Sequence, residues 1–175
     1  PAAFYSADYF ADYPPGYILV LGLVSLVRKA LQLSYESRWT YFLLALIPAI
    51  CDCAAVALLD HISCRYMGQG RAQRCLVLFA AFCPLTLFDT GIWKQIDGAF
   101  ALPLLLCFWL LEERRYLLAA VLYGVALAIK PQALLAGPVL AVCFLVAIAD
   151  AVRDGKSPLK SVGWIFGGAA MALLP

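Results

Sequence analysis

The sequence predicts an all-α protein, a polytopic transmembrane helix bundle, and three observations carry that expectation. Hydrophobic residues make up 65% of the chain and charged residues only 14%, against about 45–50% and about 25% in a soluble domain. Mean hydropathy is +0.88. The apolar residues are gathered into long runs with short polar connections. In lipid such runs must be helical, because every backbone N–H and C=O has to be satisfied within the segment. Residues 1–175 read as a single membrane domain. Residues 1–38 form an outer loop with an interfacial or re-entrant helix, and residues 39–175 the transmembrane helices.

Taken in order, the first apolar stretch is Tyr17–Val27. Eleven residues of helix reach roughly 16 Å, half of a hydrocarbon core of about 30 Å, so this stretch is expected to lie in the interface. Five apolar segments follow: Trp39–Leu59, Cys75–Phe88, Ala99–Leu111, Tyr116–Ile129 and Ala133–Ala149. A sixth, Val162–Leu174, runs into the last residue, Pro175. The chain also begins without Met, so both ends read as cuts. Pro1–Gly16 is aromatic and acidic, which does not suit a signal peptide.

Several function classes are excluded early. Net charge is +2 and scattered, which gives no footprint for nucleic acid. The seven cysteines include no CxxC pair and His61 is the only histidine. A disulfide framework or a Cys/His zinc site is therefore not expected, and cysteine serves as a small packing residue.

The connections alternate in character. Arg65–Arg74, Glu112–Arg115 and Asp150–Lys160 together hold eight cations, Arg65, Arg71, Arg74, Arg114, Arg115, Arg153, Lys156 and Lys160. The opposite connections hold Lys94 and Lys130, plus Arg28, Lys29 and Arg38 if the chain before Trp39 shares their side. The cation rule makes the first group cytoplasmic and places WKQID (93–97) and KPQ (130–132) outside. DYPPGY (12–17) joins them if Tyr17–Val27 lies in the interface, and lies opposite them if that stretch spans. Fourteen residues separate Arg74 from Asp89, Asp97 from Glu112, and Arg115 from Lys130. Fourteen helical residues reach about 21 Å, so some polar groups must sit below the membrane surface. Charges at that depth need water or protein partners. The expected result is a wet cavity open to the outer face, lined by Asp89, Trp93, Lys94, Gln95, Asp97, Lys130 and Gln132.

Such a cavity suits a lipid-phosphate substrate, whose tail stays in the bilayer. Lys130 precedes Pro131, which lacks an N–H and disfavours helical geometry in its predecessor. It is either the phosphate-binding cation or an interfacial lysine whose head snorkels to water. Asp97 is a base, a metal ligand, an acceptor-binding group or simply a loop carboxylate. Trp93 lines the site or belongs to an aromatic belt. Asp12 and Tyr13, in a tight Tyr-Pro-Pro-Gly context, are a candidate catalytic and a candidate substrate-binding residue, or they only form a turn. Asp52 lies inside Trp39–Leu59 and should face the bundle interior, with helix–helix hydrogen bonding its expected role.

The ordered set DYPP (12–15), Asp52, a basic loop, FCPLTLFDTGIWKQID (82–97) and AIKPQALLAGP (128–138) resembles the GT-C glycosyltransferases. It is closest to bacterial proteins similar to the mannosyltransferases of GPI-anchor synthesis, and to the glucosyltransferases that extend lipid-linked oligosaccharides. The resemblance implies a polyprenyl-phosphate-sugar donor, a lipid-linked or cell-envelope glycan acceptor, inversion, and an extracytoplasmic active site in the bacterial cytoplasmic membrane. A divalent metal is compatible with it and no other cofactor is implied. In the oligosaccharide glucosyltransferases the block matching 88–97 carries histidines where Thr90 and Ile92 stand here. The family's catalytic Asp precedes the DYPP block by some tens of residues. With eleven residues before Asp12, and Asp8 at the wrong spacing, that Asp is expected upstream of residue 1. A transporter or lipid flippase is the alternative reading. Such proteins tend to show repeat symmetry, and no repeat is evident.

Overall fold

A computed structural model describes residues 14–153 and Gly163. Asp12, Tyr13 and the run Val162–Leu174 apart from Gly163 lie outside the described residues. Seven α-helices account for most of the rest: α1 (Pro15–Ala30), α2 (Arg38–Met67), α3 (Arg71–Ala81), α4 (Pro84–Phe88), α5 (Asp97–Glu112), α6 (Tyr116–Ile129) and α7 (Gly137–Arg153). A π-helical turn, Asp89–Trp93, continues α4, and a 3₁₀ segment, Pro131–Ala136, leads into α7. No strand occurs among the described residues.

Three helical runs are long and apolar enough to cross a membrane, Arg38–Met67, Arg71–Trp93 and Pro131–Asp150, while α6 is apolar but shorter. The packing is that of a membrane bundle. Ala99, Ala119, Ala120, Ala126 and Ala133 are buried, whereas Phe79, Leu85 and Leu135 are exposed by 71%, 75% and 84%. Small residues let helix backbones approach closely, and large apolar side chains are left for lipid. Around Cys107, Leu110, Ala119 and Leu140 the helices α5, α6 and α7 share one core.

The elements differ from the sequence expectation in four places. The helix expected over Trp39–Leu59 runs on to Met67, where Gly68 ends it. The first helix is sixteen residues long, not eleven, because Pro15 starts it and Arg28 and Lys29 fit its last turn; Pro at the first position and cations near the C-terminus both favour a helix. The run Cys75–Phe88 is not one segment. Phe82 and Cys83 interrupt it before Pro84, which has no N–H to continue the ladder. Finally, the first four residues of the expected Ala133–Ala149 helix are 3₁₀.

Long-range contacts define two ends. Gln73 donates to Asp60, Arg65 pairs with Glu113, and the His61 and Trp109 rings meet edge to face at 5.9 Å. The connections around Arg65–Arg74 and Glu112–Arg115 therefore share one end. At the other end Thr90 meets Asp52, Lys130 meets Asp97, and Gly16 lies against Ala128. The N-terminus of α1 thus sits beside the Lys130 break. From there α1 must reach Arg38 through seven residues, about 25 Å at full extension, so it turns away from the Glu112 end. Gly16 to Ala30 and Asp52 back to Arg38 each cover fourteen steps, about 21 Å. α1 and the first half of α2 form a hairpin of matched length.

Candidate functional site

Lys130 closes α6 with φ −147° and ψ 122°. This extended geometry is what a residue before proline is forced into, and it swings the side chain off the helix axis. Its ammonium pairs with the carboxylate of Asp97, which opens α5. Both side chains are only partly shielded, Lys130 at 22% exposure and Asp97 at 41%. Asp97 occupies the first helical turn, where backbone N–H groups favour a negative charge.

Beside this pair a second joint fixes α2 to the segment before α5. The Thr90 hydroxyl donates to Asp52 Oδ2 at 2.5 Å, and Thr90 is only 8% exposed. Gly98 fits against the same carboxylate. A Cβ there would stand 2.8 Å from both Asp52 Cγ and the Pro48 carbonyl oxygen, so no larger residue leaves Asp52 in place. Asp89, at the head of the π turn, lies in the electrostatic field of Asp97, Lys130 and Asp52. Its carbonyl oxygen accepts the Gln95 N–H at 3.1 Å. Three carboxylates and one ammonium are therefore gathered where α2, the π turn, α5 and α6 converge.

The model of glycosyltransferase family 87 matches residues 10–175. The chain belongs to that family. The match extends over α1 to α7 and includes Asp12 and Tyr13. No curated protein and no solved structure matches the chain. In a family of glycosyltransferases, the alternative of a transporter has no observation of its own to support it.

The other residues singled out in this glycosyltransferase sequence stand on the π turn, in the connection after it and on the 3₁₀ segment. Trp93 is 63% exposed and packs edge to face on Phe88 at 5.1 Å. Lys94 adopts φ 55° at the end of the π turn, and its ammonium stands 5.4 Å from the Tyr41 ring centroid. Gln95 is exposed, as is Gln132 directly after the Lys130–Pro131 break. DYPP is represented by Pro14 and Pro15. A Cβ on the following Gly16 would fall 2.6 Å from the Ala128 carbonyl oxygen, so the motif's glycine is what permits α1 to approach the Lys130 break.

Among the described residues no three His, Cys, Asp or Glu side chains are arranged to hold a metal ion. Asp52 is committed to Thr90 and Asp97 to Lys130, so the cluster does not present a ligand set. Thr90 and Gly98 escaped the sequence reading as site residues. Thr90 was visible only as a departure from the histidine-bearing pattern. Gly98 had a local signal, a glycine within the first turn of a helix, where a close neighbour often explains the missing side chain.

Proposed function

We propose that this family 87 chain carries the donor-phosphate site of a GT-C-type enzyme. That enzyme moves a hexose, of the mannose or glucose type, from a polyprenyl-phosphate donor to a lipid-linked or cell-envelope glycan acceptor with inversion. The carrying observation is Lys130: an ammonium at a proline-broken helix end, beside the start of α1 and paired with Asp97. The fourteen-residue α6 stops well short of a bilayer's thickness, so Lys130 can meet a phosphate whose tail remains among lipid chains. The extracytoplasmic face of the bacterial cytoplasmic membrane is the side assigned to this end, from the cation-rich Arg65–Arg74 and Glu112–Arg115 connections at the other.

The chemistry is a single displacement. A carboxylate takes the proton of the acceptor hydroxyl, the oxygen attacks the anomeric carbon, and the bond to the lipid phosphate breaks on the opposite face. Charge on the departing phosphate grows through the transition state, where a fixed ammonium stabilises it most. The base must stand across the sugar from Lys130. Asp12, four residues before Gly16, is the candidate within this chain. Phosphate is a good leaving group, so positioning and electrostatics can supply most of the rate.

The test is to supply the protein in membranes with labelled polyprenyl-phosphate-mannose and polyprenyl-phosphate-glucose and to recover the glycan product. The reading expects label from one donor in a product of inverted anomeric configuration. Transfer from a nucleotide sugar alone, with no use of either lipid donor, would overturn it.

A further inference from the structure

The Lys130 ammonium is already engaged by Asp97, and Asp97 and Asp89 both add negative charge around it. An anionic phosphate approaching Lys130 meets a cation whose charge is spent and two carboxylates that repel it. Among the described residues the neighbouring cation does not replace it, since Lys94 is directed to the Tyr41 ring and the Ile92 carbonyl. Asp97 is also poorly placed to act as the base of an inverting transfer. A group in contact with the cation that holds the leaving phosphate is on the wrong face of the sugar. Resting on the donor reading above, we propose that Asp97 is the displaceable counter-ion of Lys130. The donor phosphate takes the ammonium from Asp97, and the carboxylate sets donor affinity by competing for it.

The geometry suits an exchange. The pair is partly open to solvent, at 22% and 41%, so it can part without stranding a buried charge. Asp97, released, keeps the favourable backbone environment of the α5 N-terminus. Lys130, on a four-carbon stem at a non-helical residue, can swing without moving α6. In the resting protein the pair spares the bundle an unmatched ammonium at depth. A carboxylate that leaves when phosphate arrives also favours release of the spent lipid phosphate, because it returns to Lys130 afterwards.

Binding of a short-chain polyprenyl phosphate to the purified full-length protein in detergent tests this without requiring turnover. Asp97→Asn should bind about tenfold more tightly than wild type, within the usual range for a coupling between two sites. In transfer assays the same variant should lower the apparent KM for donor while kcat falls, as product leaves more slowly. Lys130→Met should bind at least tenfold more weakly. Wild-type binding by Lys130→Met would remove the donor reading itself. Weak binding by Lys130→Met with unchanged or weaker binding by Asp97→Asn would sink the competition alone. Asp97→Ser repeats the charge removal with a smaller side chain. If neither Asp97 variant folds, the pair is required by the fold and the idea of a displaceable pair is wrong.

Discussion

Asp52 and Thr90 carry the clearest residue-scale lesson. A carboxylate inside an apolar run has to face a partner, and the sequence alone marks Asp52 for that reason. It does not mark Thr90, thirty-eight residues away, because no spacing rule links two helices through a connection of that length. The bond makes definite demands. Thr90→Val should lower stability by about 1.5–3 kcal/mol, the range for a hydrogen bond to a charged group, read as a fall in melting temperature in detergent. Asp52→Asn keeps an acceptor for the hydroxyl and should retain folding and substantial transfer. Asp52→Leu leaves Thr90 unpaired and sets a branched side chain against Gly98, so folded protein should be lost. A well-folded Asp52→Asn without activity would instead give the carboxylate a direct part in the reaction.

Helices meet closely where they lack side chains, and that is the next scale up. Gly16 on Ala128 and Gly98 on Asp52 and Pro48 are the two approaches that bring α1 and α5 to the site. Gly16→Ala and Gly98→Ala should each cost about 1–3 kcal/mol, the usual penalty of an overpacked contact. Gly22→Ala, with open space around its Cβ position, is the control and should be neutral or mildly stabilising, since alanine favours a helix. Elements were legible where composition decides them. Tyr116–Ile129, bounded by Arg115 and by Lys130–Pro131, is the same helix in sequence and structure. They were less legible where backbone geometry decides. The π turn Asp89–Trp93 depends on how the chain after Pro84 returns toward α2, which no local periodicity encodes.

At the scale of the whole molecule, the bundle has two unlike ends. One is braced by Arg65–Glu113 and Gln73–Asp60, and the other gathers Asp52, Asp89, Asp97 and Lys130. Charge counts and short helices make this division legible in the sequence, with Lys130 and Asp97 at the same end. Their pairing is not legible there, because no spacing rule links two residues thirty-three positions apart on different helices. Gly70 and Gly91 both have open space for a side chain and stand at the opposite ends of the α3–α4–π run. Single cysteines there, with the seven native ones replaced, should react with an impermeant reagent from opposite sides of a sealed vesicle. Labelling of both from one side would contradict the alternation of connections.

The site at the Lys130 end is the central claim, and transfer by Lys130 variants of the full-length protein tests it most directly. Lys130→Met keeps the apolar stem and removes only the charge. It should express and melt like wild type, yet transfer from polyprenyl-phosphate-sugar should fall by roughly 10²–10³-fold, the cost of losing one stabiliser of transition-state charge. Lys130→Arg should be impaired as well, because a planar fork does not replace a compact ammonium in a fixed pocket. Near-normal transfer by well-folded Lys130→Met would contradict the account and leave Lys130 as an interfacial anchor paired with Asp97.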